Sequence, residues 1–391
     1  MVQFEPGLYL WDSSEGAVVF SDLRAGVVLE SSGARSSSSS SVASSSQVEF
    51  QTFGRVLNGL FKFSNVIGGI AITGPFSVDT VRQPYTFGQV TAVASGEFSL
   101  AFNATDYPFT ADAVASAPWL LQATNLYGAI DPVTRVPKLP MYWGAGGALT
   151  IVDPARGLLN VSRALDPRFE GEWLVVEHSR SAAAAFDFFG CENVTLREVT
   201  LYSHAGFGIL MTQVHDILLD RVSVRARSTR RPMSIMADGA HFRKCSGRLH
   251  IMDSEFSRNG DDGLATHSEY SSVVALPNAS CVQVTGEGVD LAVVGEEWIF
   301  RTHALLQSLG TRHVTSVVAS GGSGKAQPIT EAKVMCFDAA LPERLAVGDV
   351  LTATASPQLL VERSRCVVHC ASTFVVVFRL HRVPHTCVWY L

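Results

Sequence analysis

Two copies of one dipeptide stand out as residues that could do chemistry. Asp238-Gly239 and Asp262-Gly263 lie 24 residues apart, and Asp261 precedes the second copy. If the chain stacks with that period, the two aspartates sit above one another at strand spacing, about 4.8 Å, with Asp261 beside them. Three carboxylates so close repel one another unless a shared proton, a metal or nearby cations intervene. Two carboxyls whose pKa values are driven apart can act as general acid and general base, the pairing that cleaves a glycosidic bond.

The surrounding elements support such stacking. Asn193–Leu201, Asp216–Val224 and Arg248–Phe256 alternate apolar and polar residues as half-buried strands do. Ile217 follows Val194 by 23 residues, and Leu249 follows Ile217 by 32. The longer step fits an insertion at Ser228–Met236, a loop that leads into Asp238. Gly208-Ile209-Leu210 and Gly263-Leu264-Ala265 each trail one of these strands by the same 12 residues. Short strands at a fixed period of roughly two dozen residues predict a right-handed parallel β-helix, one coil per repeat.

The same residues carry a resemblance. Ala237-Asp238-Gly239-Ala240-His241-Phe242, the run Cys245–Phe256, and Gly260-Asp261-Asp262-Gly263-Leu264-Ala265-Thr266-His267 resemble glycoside hydrolase family 110. Those are β-helical exo-α-galactosidases, including enzymes that remove the terminal α-1,3-galactose of blood group B. The resemblance spans about Trp173 to Val274. It implies Asp238 as general acid, Asp261 and Asp262 sharing the general-base role, inversion at the anomeric carbon, and no cofactor. Gly263-Leu264-Ala265-Thr266-His267 departs from the family's more frequent Ala-Ile-Asn-Val-His. The chain is also shorter than a typical member and ends differently.

Composition narrows the partners. The chain has 391 residues, a net charge of −6 and 47% hydrophobic residues. Low charge and long apolar runs fit an all-β protein. No basic footprint invites nucleic acid, and no apolar run is long enough to span a bilayer. A neutral, galactose-terminated glycan suits this surface. The seven cysteines show no paired metal spacing. Cys191 and Cys245 precede strand repeats and read as buried free thiols. Sequons at Asn103, Asn160, Asn193 and Asn278 are compatible with a secretory route, although no signal peptide is visible at Met1. The opening run Phe4–Leu10 reads as the inside of a domain, so the start reads as truncated.

Along the chain, residues 1–80 read as N-terminal coils interrupted by a serine-rich, disordered loop at Ser36–Ser46. Alternating phenylalanines precede an Asn-Val pair twice, at Phe61/Phe63 and Phe186/Phe188, as core stacking between coils requires. Residues 81–180 break the period with antiparallel runs and read as an inserted β-barrel-like subdomain. Residues 181–276 carry the candidate site. Residues 277–356 read as a second barrel-like insertion, with Gly321–Gly324 as a turn. Residues 357–391 read as a partial, truncated return coil whose strand is Phe374–Phe378.

Other residues have ordinary structural roles to set against functional ones. His267 follows Asp262 by five and could reach a substrate hydroxyl or serve as a structural histidine. Arg231 and Arg230, in the loop before Asp238, could clamp a sugar or form a solvated turn. His204 lies one coil earlier, on what the period places as the same face. His241, three residues past Asp238, reads as packing or support on the opposite pleat. Trp173 and Tyr270 could stack on a sugar, though core packing is the commoner use of an aromatic. Two alternatives to the glycosidase remain. One is a β-helical polysaccharide lyase using Ca²⁺ on the aspartates and a Lys or Arg base, which a chelator would expose. The other is a non-catalytic carbohydrate-binding fragment.

Overall fold

The computed structural model describes residues 1–12, 16–31, 47–53, 59–134, 137–179, 181–267, 270–319, 332–354 and 358–367. The serine-rich segment, the glycine turn at 321–324 and the strand expected at 374–378 lie outside these. The described chain is mostly β. It contains two parallel sheets, one antiparallel sheet and one closed antiparallel barrel.

The two parallel sheets are built alternately. Ala184–Phe189 lies in the six-stranded sheet, Glu192–Leu201 in the twelve-stranded one, Phe207–Thr212 back in the first, and His215–Asp220 in the second. Ala240–Arg243, Ser246–Met252 and Leu264–His267 continue the alternation. Val194 pairs with Ile217, and Ile217 with Leu249, all in parallel register. Leu196, Leu219 and Ile251 form the next rung. All six of these apolar residues are buried. The 32-residue step is accommodated between Ser223–Val224 and Ala240, where residues 225–239 form no strand.

Stacking fixes the turns as well as the core. Asp22, Asn65, Gly190, Gln213 and Lys244 all adopt positive φ, between 49° and 62°. Each holds the same place, just after a strand of the six-stranded sheet. Outside glycine that conformation costs energy. Here the amide of Asn65 donates to Phe189 O, that of Gly190 to Thr212 O and that of Gln213 to Arg243 O, so the next circuit fixes each turn. The interior is lined by like residues over like. Phe20, Phe63 and Phe188 stack at 5.0 and 4.9 Å, and Phe61 lies on Phe186 at 5.5 Å. Cys191 and Cys245 are buried and unbridged. Burial raises both thiols, Cys245 to about 12, which leaves them inert.

Two antiparallel units interrupt the alternation. The first comprises seven strands from Tyr85–Ala94 to Trp173–Glu177. Its pairing runs as an open path among the described residues, with Pro137–Ala145 and Ala148–Asp153 at its ends, where the sequence predicts a barrel. Its core includes Met233 and Met236 from the loop that precedes Asp238. The second unit, from Tyr270–Ala275 to Val350–Ala353, closes as a six-stranded barrel. A disulfide joins Cys281 and Cys336 on adjacent barrel strands, a pairing that the cysteine spacing does not reveal. It closes a 55-residue separation. Replacing both cysteines by alanine should cost about 2–4 kcal/mol. Denaturant unfolding with and without reductant measures it: reductant should weaken the parent protein and leave the variant unmoved.

Candidate functional site

The acidic residues meet where the chain passes from the twelve-stranded to the six-stranded sheet. Asp238 ends the long loop before Ala240–Arg243, and Asp261-Asp262 occupies the same turn one circuit later. Gly239 N donates to Asp262 O at 2.9 Å, and Ala240 N to Gly263 O at 3.1 Å. The backbones approach so closely that a Cβ on Gly239 would lie 2.7 Å from Gly263 O. Glycine at position 239 is therefore a requirement of close stacking.

One carboxylate oxygen from each of Asp238, Asp261 and Asp262 lies within 4.8 Å of the others. The three differ in surroundings: Asp238 is buried, Asp261 half-buried and Asp262 exposed. Asp238 Oδ1 accepts the Asp262 N–H at 3.1 Å, and Oδ2 is hydrogen-bonded to His241 Nδ1. Partial burial, and then the charge of Asp238, push the Asp262 carboxyl above its ordinary value, while His241 pulls it down. The arrangement supplies one enclosed carboxyl with both oxygens engaged and another on the open side that resists ionisation. Such a set can exchange protons with a bound substrate and orient water. Its hard oxygens could also hold a divalent cation, as the lyase alternative requires.

The other candidates are dispersed. His204 is wholly buried, with Nδ1 accepting the Gly206 N–H at 3.1 Å. That contact leaves the neutral ring's proton on Nε2, which is buried and has no hydrogen-bond partner among the described residues. Burial lowers the imidazole to about 4, so the ring is neutral at pH 7. His204 O accepts the Met236 N–H and His204 bridges to Ile235, which places its enclosed ring three positions ahead of Asp238 rather than in the acidic turn. Arg231 Nη1 donates to Asp79 Oδ1 at 2.7 Å, and Asp79, only 1% exposed, also binds Arg227 at 2.9 Å. The Arg231 charge is thus committed to the base of its loop. Arg230 is exposed and 3.6 Å from Asp106. His267 pairs through its backbone with Arg243, and its side chain lies outside the described residues. Trp173 packs on Phe87 at 4.9 Å, whereas Tyr270 is exposed at the start of the barrel.

The structure adds residues to the site that pattern alone undervalues. His241 meets Asp238 because Asp238 lies in the turn, ahead of the strand that begins at Ala240. Alternation along a pleat does not apply between them. Tyr85 OH donates to Met233 O at 2.9 Å, and Tyr127 OH reaches Met236 O at 3.5 Å and Glu177 Oε2 at 3.2 Å. The antiparallel sheet thereby holds the backbone that leads to Asp238. The only sequence signal for it is position, an insertion immediately before the repeats that carry the site.

Comparison with known proteins adds a distant likeness. No family model matches the chain. A stretch of 113 residues, 29% of the chain, is 24% identical to the alpha-1,3-galactosidase A of Shewanella woodyi. It covers 19% of that protein. The likeness is partial, and it is to a glycosidase.

Proposed function

We propose that the chain is a right-handed parallel β-helix that hydrolyses terminal α-linked galactosides, most simply α-1,3-linked galactose on a glycan. The observation that carries this is the convergence of Asp238, Asp261 and Asp262 within 4.8 Å, in a chain with partial likeness to an alpha-1,3-galactosidase. Asp238 protonates the leaving oxygen, and Asp261 and Asp262 together activate water. The division at residues 1–80, 81–180, 181–276, 277–356 and 357–391 belongs to the same reading: helical coils with two inserted units and a return coil. A secretory location is part of it too, supported by the Cys281–Cys336 disulfide, since disulfides persist in oxidising compartments.

The stereochemistry is inverting on this reading, because two candidate bases side by side suit one held water better than one nucleophile. A second reading has its own support. Inverting carboxyl pairs stand about 6.5–9.5 Å apart and retaining pairs about 5–5.5 Å. Oxygens within 4.8 Å favour retention through a glycosyl-aspartate. Proton NMR in the first minutes of hydrolysis decides between them. We expect β-galactose to appear first and then mutarotate. Initial α-galactose would move Asp261 or Asp262 from base to nucleophile. A panel of terminal α-galactosides, assayed with and without chelator, tests the reading as a whole. Failure to release galactose from any of them sinks it; chelator-sensitive cleavage of a uronic-acid polysaccharide to an unsaturated product would favour the lyase.

A further inference from the structure

We infer that His241 is a positioning residue for Asp238, fixing the orientation from which that carboxyl delivers its proton. The inference rests on the glycosidase reading above.

His241 lies on the outward pleat of Ala240–Arg243. Ala240 and Phe242 are buried, while His241 and Arg243 face out. In the parallel register it lies between Leu210 and Ala265. Its side chain is 14% exposed, and Phe207 meets the ring edge to face at 5.2 Å. A ring so enclosed has little rotational freedom. Its Nδ1 is bonded to Asp238 Oδ2.

The other oxygen of Asp238 is held by the backbone amide of Asp262. Each contact comes from a different element: the amide from the next circuit, the imidazole from the strand that Asp238 introduces. With both in place the carboxyl plane is fixed at two points. With the amide alone it can turn about its Cβ–Cγ bond. A carboxyl that donates a proton must be aimed at the leaving oxygen within a narrow range, and small misplacements of a catalytic group cost up to about 10²-fold in rate. A histidine placed for packing alone would not need its ring nitrogen on the acid.

The test compares two substrates that differ in how much they need the acid. A galactosyl disaccharide has a poor leaving group and depends on protonation. An aryl α-galactoside with a strongly acidic phenol barely does. His241→Ala should lower kcat on the disaccharide by about 10²-fold and on the aryl galactoside by less than about 10-fold, with KM nearly constant. His241→Asn, whose amide nitrogen falls near the position of Nδ1, should recover most of the disaccharide rate. Melting temperatures of both variants report folding independently. An equal loss on both substrates, or no recovery with asparagine, overturns the positioning role while the galactosidase reading stands. A parent protein that cleaves neither substrate overturns the galactosidase reading and this inference with it.

Discussion

Asp238→Asn should lower kcat on an unactivated α-galactoside by about 10²–10⁴-fold, the usual contribution of a general acid. KM should change by far less. The carboxamide keeps an oxygen for the Asp262 N–H and a polar group for His241, so the two contacts that Asp238 makes are nearly conserved. What is lost is the transferable proton. Circular dichroism and a melting temperature close to that of the parent would show that the fold is intact. The loss should shrink on aryl galactosides with good leaving groups, which depart without protonation. Unchanged turnover on the disaccharide would remove Asp238 from the mechanism.

Asp262→Asn should lower kcat by about 10²-fold, with Asp261 left to hold the water, while making the protein more stable at pH 7. Partial burial and the neighbouring Asp238 raise the Asp262 carboxyl above its ordinary value. A carboxyl raised in the folded state favours folding most when it is protonated, below its unfolded value of about 3.9. That contribution is lost as pH rises through the folded value. At pH 7 the ionised side chain therefore opposes folding, and a neutral asparagine relieves it. The melting temperature of the variant should exceed that of the parent at pH 7, and the gap should close as pH falls below about 4. The acid limb of the parent's kcat/KM profile should also lie above the ordinary aspartate value. A variant less stable at pH 7 would mean that an unrecognised cation or donor holds the Asp262 charge.

These two expectations depend on residues that are legible in the sequence to different degrees. The periodic strands are readable because stacking is a local rule. Each circuit repeats the same order of turn, strand and turn, and apolar residues recur where the interior needs them, at Val194, Ile217 and Leu249. The phenylalanine stacks are readable for the same reason. So is the proximity of Asp238 and Asp262, since a 24-residue step returns the chain to the same turn.

Contacts between units follow no such rule. Arg231 meets Asp79 across 152 residues, with the seven-stranded sheet lying between them in the chain, and Tyr85, the first residue of that sheet, meets Met233 across 148 where the sheet docks on the loop. No spacing encodes that docking. Whether an antiparallel run closes into a barrel or stays an open path depends on which edge strands find each other, and the two insertions differ in this. His204 pairs with Ile235, three residues ahead of Asp238, and its ring is buried there. Strand alternation puts His241 on the opposite pleat from Asp238, yet the two bond because Asp238 sits in a turn. The amino-acid sequence by itself determined the stacked strands and brought the aspartates to one turn, because both follow from a repeat length. Only the tertiary structure decided which charges are neutralised, which histidine meets Asp238 and how the loop is held, because those depend on side-chain direction and on surfaces brought together from distant parts of the chain.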